Sequence, residues 1–175
     1  MKLVALGPDE VFYRYLTPKW AYLPTSGAGA TAGGGRFNRP GIEALYLAQS
    51  PQTALEEYKQ GSSLPPPVTL AAYHVNTSNV VDFSDGYDPA VWDATWKDWN
   101  CDWKYIARFE RRTPPCWPLS DAVISAGYAG ILFPSTRHIG GTNLVLYAAN
   151  FACAGDTPAV HDPDGALPQN QSSWS

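Results

Sequence analysis

The sequence predicts one α+β domain, and three observations lead there. Short runs rich in β-branched, aromatic and aliphatic residues recur over 11–16, 44–48, 68–75, 80–83, 130–133 and 143–148, with Gly, Pro, Asn or Asp within a few residues of each. Between them lie segments with helical apolar spacing over 51–59, 89–103 and 119–126, so strands and helices do not alternate as a regular βαβ array requires. A chain of 175 residues fits a single core.

The first strand, Val-Phe-Tyr-Arg-Tyr-Leu, alternates Arg14 on one face with Tyr13 and Tyr15 on the other. An arginine in an apolar strand needs a partner, which a salt bridge or a bound anion can supply. Residues 17–35 are rich in Pro, Gly, Ala and Thr and read as a long loop. It ends in Gly33-Gly34-Gly35-Arg36-Phe37-Asn38, where three glycines allow a tight path close to a ligand and aim Arg36 into the space so made.

Helix 51–59 has clear signals: Ser50 as N-cap, Pro51 as first residue, Lys59 in the last turn and Gly61 beyond. At about 100° per residue, Ala54, Leu55 and Tyr58 share its apolar face, with Glu57 at the border of that face and Glu56 nearly opposite. Glu57 is thus the carboxylate expected to face a cleft.

Asp88-Pro89 repeats the helix-start signature, and Trp92, Trp96, Trp99 and Trp103 follow as a core-facing stripe. Arg108, Glu110, Arg111 and Arg112 form a charged patch before Pro114-Pro115. Leu119, Ala122, Val123 and Ala126 make another helical stripe, closed by Gly127. Ser135 stands in the turn after an apolar strand. From residue 154 onward Pro, Asp, Gly, Gln and Ser dominate, so a domain over 1–153 with a poorly packed tail over 154–175 is expected.

Composition narrows the function. No run approaches the roughly 18 apolar residues of a membrane span, and the N-terminus is too short for a signal peptide, which leads to the expectation of a cytoplasmic protein without membrane contact. A formal charge of −4 and a pI near 5.2 argue against direct nucleic-acid binding, although Arg14, Lys19, Arg36 and Arg39 concentrate positive charge locally. Three cysteines without a Cys-x-x-Cys pair suggest reduced, structural thiols, and His74, His138 and His161 lack metal spacing, so no metal is expected.

The glycine loop has neither a P-loop ending nor the spaced glycines of a dinucleotide-binding turn. Ser135 lacks the Gly-x-Ser-x-Gly setting of a hydrolase nucleophile, so a polar binding role fits it better.

What remains is two arginines, a tyrosine, a carboxylate and a serine at separate strand ends and on a helix. The segments Phe12-Tyr13-Arg14-Tyr15, Gly34-Gly35-Arg36-Phe37-Asn38 with Gly41, Leu45-Tyr46, Ala54-Leu55-Glu56-Glu57, Phe133-Pro134-Ser135 and Asn143-Leu144-Val145-Leu146 occur in an order that resembles the RES-domain family. Phe37 stands where that family commonly has Trp.

The resemblance implies an ADP-ribosyltransferase-like fold, a bent mixed sheet flanked by short helices. It also implies NAD+ as substrate and a place as the toxin of a bacterial type II toxin–antitoxin pair that inhibits growth. Glu57, Arg36, Ser135 and Tyr46 would then be catalytic, while Arg14, Tyr15, Arg36, Phe37, Asn38, Tyr46 and Ser135 would hold the dinucleotide. The ADP-ribose acceptor is expected to be a protein, for instance an enzyme of nucleotide metabolism. NAD+ phosphorolysis or hydrolysis is the alternative, and a non-catalytic nucleotide-binding module is a second one. The implied partner is an Xre-type helix-turn-helix antitoxin, and a homodimer is compatible with the exposed aromatics.

Overall fold

The computed structural model of the chain describes residues 1–153 and 158–172. Its strands are β1 (Leu3–Leu6), β2 (Val11–Leu16), β3 (Ala44–Ala48), β4 (Thr69–His74), β5 (Thr77–Asp82), β6 (Gly130–Pro134), β7 (Thr142–Tyr147) and β8 (Ala159–Val160). They form one sheet in the order β1-β5-β6-β7-β3-β2-β4-β8. Every pairing is antiparallel except β5 with β6, so the α+β fold with a mixed sheet implied by the sequence is the one observed.

The pairing of β2 decides where a ligand can enter. Six residue pairs tie β2 to β4, from Val11↔His74 to Leu16↔Thr69, but β2 meets β3 only at Tyr13↔Ala48. The sheet therefore opens as a fork between β2 and β3. The helix α2 (Pro51–Lys59) leaves the end of β3 and packs against both strands beside the fork.

Each face of the sheet has its own core. Phe12, Leu16, Leu47, Tyr73, Leu144 and Leu146 pack on one side; Phe37, Val81, Phe83, Val145 and Tyr147 pack on the other with the tryptophans. Strands β6 and β7 lie between the two cores and are apolar along nearly their whole length, as strands covered on both faces must be.

Trp92, Trp96 and Trp99 are buried as expected, with ring centroids 4.8, 4.8 and 5.4 Å from that of Phe83. The long helix predicted to carry them is not formed. Residues 88–102 instead make turns and a single 3₁₀ turn at Ala94–Trp96. Asp88 Oδ1 accepts from Ala90 N and Asp93 Oδ1 from Thr95 N, each bond closing an Asx-type turn rather than continuing helix, and Asp102 Oδ1 accepts from Tyr105 N as the N-cap that starts a new helix. The next segment is α3 (Trp103–Tyr105), which widens into a π-helical turn at Ile106–Glu110.

Other departures are local. Strand β1 had no sequence signal, because it is only four residues long and its Leu3 and Ala5 are exposed. The loop expected over 17–35 holds a 3₁₀ turn at Pro18–Trp20 and the short α1 (Ala28–Gly33). The helix α4 (Cys116–Ser125) starts earlier than its apolar stripe, with Gly127 past its end at φ +79°. α5 (Ala148–Cys153) follows directly on β7. Within the expected C-terminal tail, β8 pairs with β4 and Val160 packs on the core, while 154–157 and 173–175 lie outside the described residues. Cys101 and Cys116, distant in sequence, place their thiol sulfurs 3.6 Å apart, and burial raises the pKa of the Cys116 thiol.

Helix α2 offers a clean test of the local code. The Ser50 hydroxyl accepts from Thr53 N at 3.1 Å, the N-cap bond predicted from sequence. Ser50→Ala should cost about 1 kcal/mol, read as a shift in the denaturation midpoint.

Candidate active site

A cleft of about 590 Å³ occupies the fork, a size typical of small-molecule sites. Tyr13, Arg14 and Tyr15 of β2 form one wall, Tyr46 and Ala48 of β3 the floor, and Glu57 and Tyr58 of α2 a second wall. Gly33 to Arg36 and the Trp103–Arg108 segment complete it.

Glu57 faces the cleft, as the helix geometry predicted. Its Oε1 accepts from Ser135 Oγ at 2.7 Å and from Asn143 Nδ2 at 2.7 Å. No bond to Oε2 is found among the described residues, so one carboxylate oxygen is fixed and the other is open. Glu56 points away, accepting from Lys59 Nζ at 3.1 Å and Gln52 Nε2 at 3.0 Å. Ser135 is positioned in turn by Arg137 N and His138 N, which donate to its Oγ at 3.1 and 2.9 Å. The hydroxyl thus has a full set of partners and stands behind Glu57 rather than in the cleft wall.

Arg36 enters from the glycine loop. Its Nη1 donates to the carbonyls of Trp99 at 3.0 Å and Cys101 at 2.9 Å, and the guanidinium lies 5.7 Å from the Trp99 ring centroid. Arg14 Nη1 donates to Pro24 O at 3.2 Å and Ser26 O at 3.0 Å. Burial lowers the Arg14 pKa, and the neighbouring Tyr73 hydroxyl opposes that shift. Among the described residues neither arginine has a carboxylate partner, so the salt bridge considered for Arg14 is not what holds it. Both keep N–H donors for an anion.

The glycine loop is built around Asn38. Its fully buried side chain donates to Ala30 O at 2.9 Å and Ile42 O at 3.0 Å and accepts from the Tyr46 hydroxyl at 2.8 Å. The Tyr46 oxygen also accepts from Phe37 N at 3.0 Å, and burial pushes the Tyr46 pKa up. Gly34 takes a positive φ of 71°, and a Cβ at Gly35 would collide with the Tyr46 hydroxyl, so these glycines answer real demands of the backbone.

Three of the residues expected to touch a ligand, Ser135, Phe37 and Asn38, do not border the cleft. Phe37 is fully buried, packed edge-on against Phe133 at 4.8 Å, and Asn38 spends its polar atoms on the loop itself. Both support the cleft from behind. Arg14, Tyr15, Arg36, Tyr46 and Glu57 border it.

Sequence reasoning passed over Asn143, the second donor to Glu57, although the residue begins an apolar strand where a lone buried amide stands out. It also passed over Lys104 and Arg137 in the cleft wall, and read Arg108, which joins them there, only as part of a charged patch. Their helical spacing and turn position gave no hint that they converge.

The geometry can be set against known proteins. The RES domain family matches residues 11–170. The chain belongs to the RES domain family. A solved structure similar to this RES domain is a chain of the M. tuberculosis MbcT–MbcA toxin–antitoxin complex, at 21% identity and a TM-score of 0.58, covering 90% of this chain and 84% of that one. At that identity the likeness speaks for the fold. A comparison with curated proteins gives no match. Among the described residues of the RES domain, no helix is long and apolar enough to cross a membrane, and no three His, Cys, Asp or Glu side chains gather as a metal site.

Proposed function

We propose that the cleft binds NAD+ and breaks its nicotinamide–ribose bond. The observation that carries this reading is the Glu57 carboxylate, fixed through Oε1 and open at Oε2 within a cleft that holds guanidiniums without a carboxylate partner among the described residues. As the ribose C1′–nitrogen bond breaks, its electron pair leaves with neutral nicotinamide and positive charge builds on the sugar. A carboxylate held in place stabilises that cation without having to reorganise. Arg36 and Arg14 supply donors for the pyrophosphate, the tyrosines of β2 and β3 flank the sugar and base, and Ser135 and Asn143 aim Glu57.

An acceptor nucleophile then adds to C1′ and loses its proton. A protein acceptor is favoured by the exposed, stacked Tyr105 and Phe109, 5.5 Å apart beside the cleft wall, which give a docking surface that a free phosphate or water does not need. The same surface suits an antitoxin of the helix-turn-helix type that covers the cleft, and the chain then acts as a growth-inhibiting toxin.

Incubating the purified chain with NAD+ and following nicotinamide by chromatography tests the reaction. Release is expected, and label from NAD+ should pass to protein when a cell extract is added. No release above the uncatalysed rate would leave a binding module only. Ser135→Ala should lower kcat about tenfold with KM little changed, since it acts on transition-state contact through Glu57.

A further inference from the structure

Cys101 and Cys116 stand at the two ends of the segment that completes the cleft wall. Between them lie Asp102, Trp103, Lys104 and Arg108, which line the cleft, and the exposed Tyr105 and Phe109. Cys101 sits in a bend and Cys116 opens α4. Their sulfurs are 3.6 Å apart, with the Cys101 thiol donating, and among the described residues neither side chain makes another hydrogen bond.

A buried thiol often does no more than fill a core. Three features set this pair apart. The two are unequal: Cys116 is fully buried, whereas Cys101 keeps part of its surface in solvent, so an oxidant meets Cys101 first and Cys116 waits behind it. The sulfurs already touch, and a bond of about 2 Å asks them to close by about 1.5 Å, a shift that falls on the bend at Cys101 rather than on the sheet. The third feature is electrostatic. Burial, followed by the charge of Cys101, raises the pKa of the Cys116 thiol, and Arg36 opposes that shift. Turning Cys101 into an uncharged sulfenic acid removes the second cause, while Arg36 and the amide end of α4 still favour the Cys116 thiolate.

We propose that Cys101 and Cys116 are a reversible oxidation site for hydrogen peroxide, at which a disulfide ties the two ends of the cleft wall together. The Cys101 sulfur attacks one peroxide oxygen, the O–O bond breaks, and a first water leaves as Cys101 becomes a sulfenic acid. The Cys116 sulfur then attacks the Cys101 sulfur, the S–O bond breaks, and the hydroxide departs with the Cys116 proton as a second water. Two thiols have lost two electrons and two protons, and the peroxide has been reduced to two waters. An added dithiol reverses the change. The inference holds whatever the cleft binds.

Treating the reduced full chain with equimolar hydrogen peroxide, alkylating the thiols that remain and mapping peptides by mass spectrometry tests this. The expected product is a peptide pair joined through Cys101 and Cys116, separated by dithiothreitol, with Cys153 alkylated. The thermal midpoint of the oxidised chain should lie about 5 °C or more above that of the reduced chain, because the bond closes a loop in the unfolded state. Cys101→Ser should give neither the joined pair nor the rise. The site is refuted if both thiols remain open to alkylation, if Cys101 goes on to sulfinic acid without joining, or if either cysteine joins Cys153 or another chain instead. A joined pair with an unchanged or lowered midpoint would overturn the tie across the wall.

Discussion

Glu57→Gln is expected to lower the rate of nicotinamide release by about 10²- to 10³-fold while the chain stays folded. The amide keeps the shape of the side chain, and its oxygen can accept the Ser135 and Asn143 bonds that now reach Oε1 at 2.7 Å each. What vanishes is the negative charge at Oε2, where a sugar cation would be stabilised. Glu56→Gln is the matched control, because that carboxylate is occupied by Lys59 and Gln52 on the outer side of α2. It should retain nearly full activity. Steady-state rates with NAD+ for the two variants decide the matter, and equal losses in both would remove Glu57 from the chemistry.

The second large effect is structural. Asn38→Ala should destabilise the chain by about 3 kcal/mol, because it strips the bonds to Ala30 O, Ile42 O and the Tyr46 hydroxyl from a fully buried site. Water cannot replace those partners without opening the loop. Since Gly34, Gly35 and Arg36 take their path from this frame, nicotinamide release should fall even at temperatures where the variant is folded. Urea denaturation gives the stability, and a change smaller than about 0.5 kcal/mol would show that the loop is held elsewhere.

The comparison with the sequence separates what is local from what is not. Helix α2 was readable in full because Ser50, Pro51 and Lys59 act within a few residues, and the facing of Glu57 follows from helix geometry alone. The tryptophan segment was misread because a spacing of four, three and four is shared by helices and by successive turns; three aspartates at 88, 93 and 102 carried the better information. Phe37 and Asn38 sit in the motif with Arg36, and nothing in a linear string tells a residue that touches ligand from one that braces the loop. The cleft cations were hidden for a different reason. Lys104 and Arg137 are 33 positions apart and become neighbours only because the end of α2 lies between them.

The way Arg36 is held has an evolutionary corollary. Its two Nη1 bonds end on main-chain carbonyls at 99 and 101, and every amino acid offers a carbonyl. Selection on the hold itself therefore acts on the route of the backbone at 99 and 101, while the side chains there answer to other demands, Trp99 in the core and beside the guanidinium, Cys101 against the Cys116 thiol.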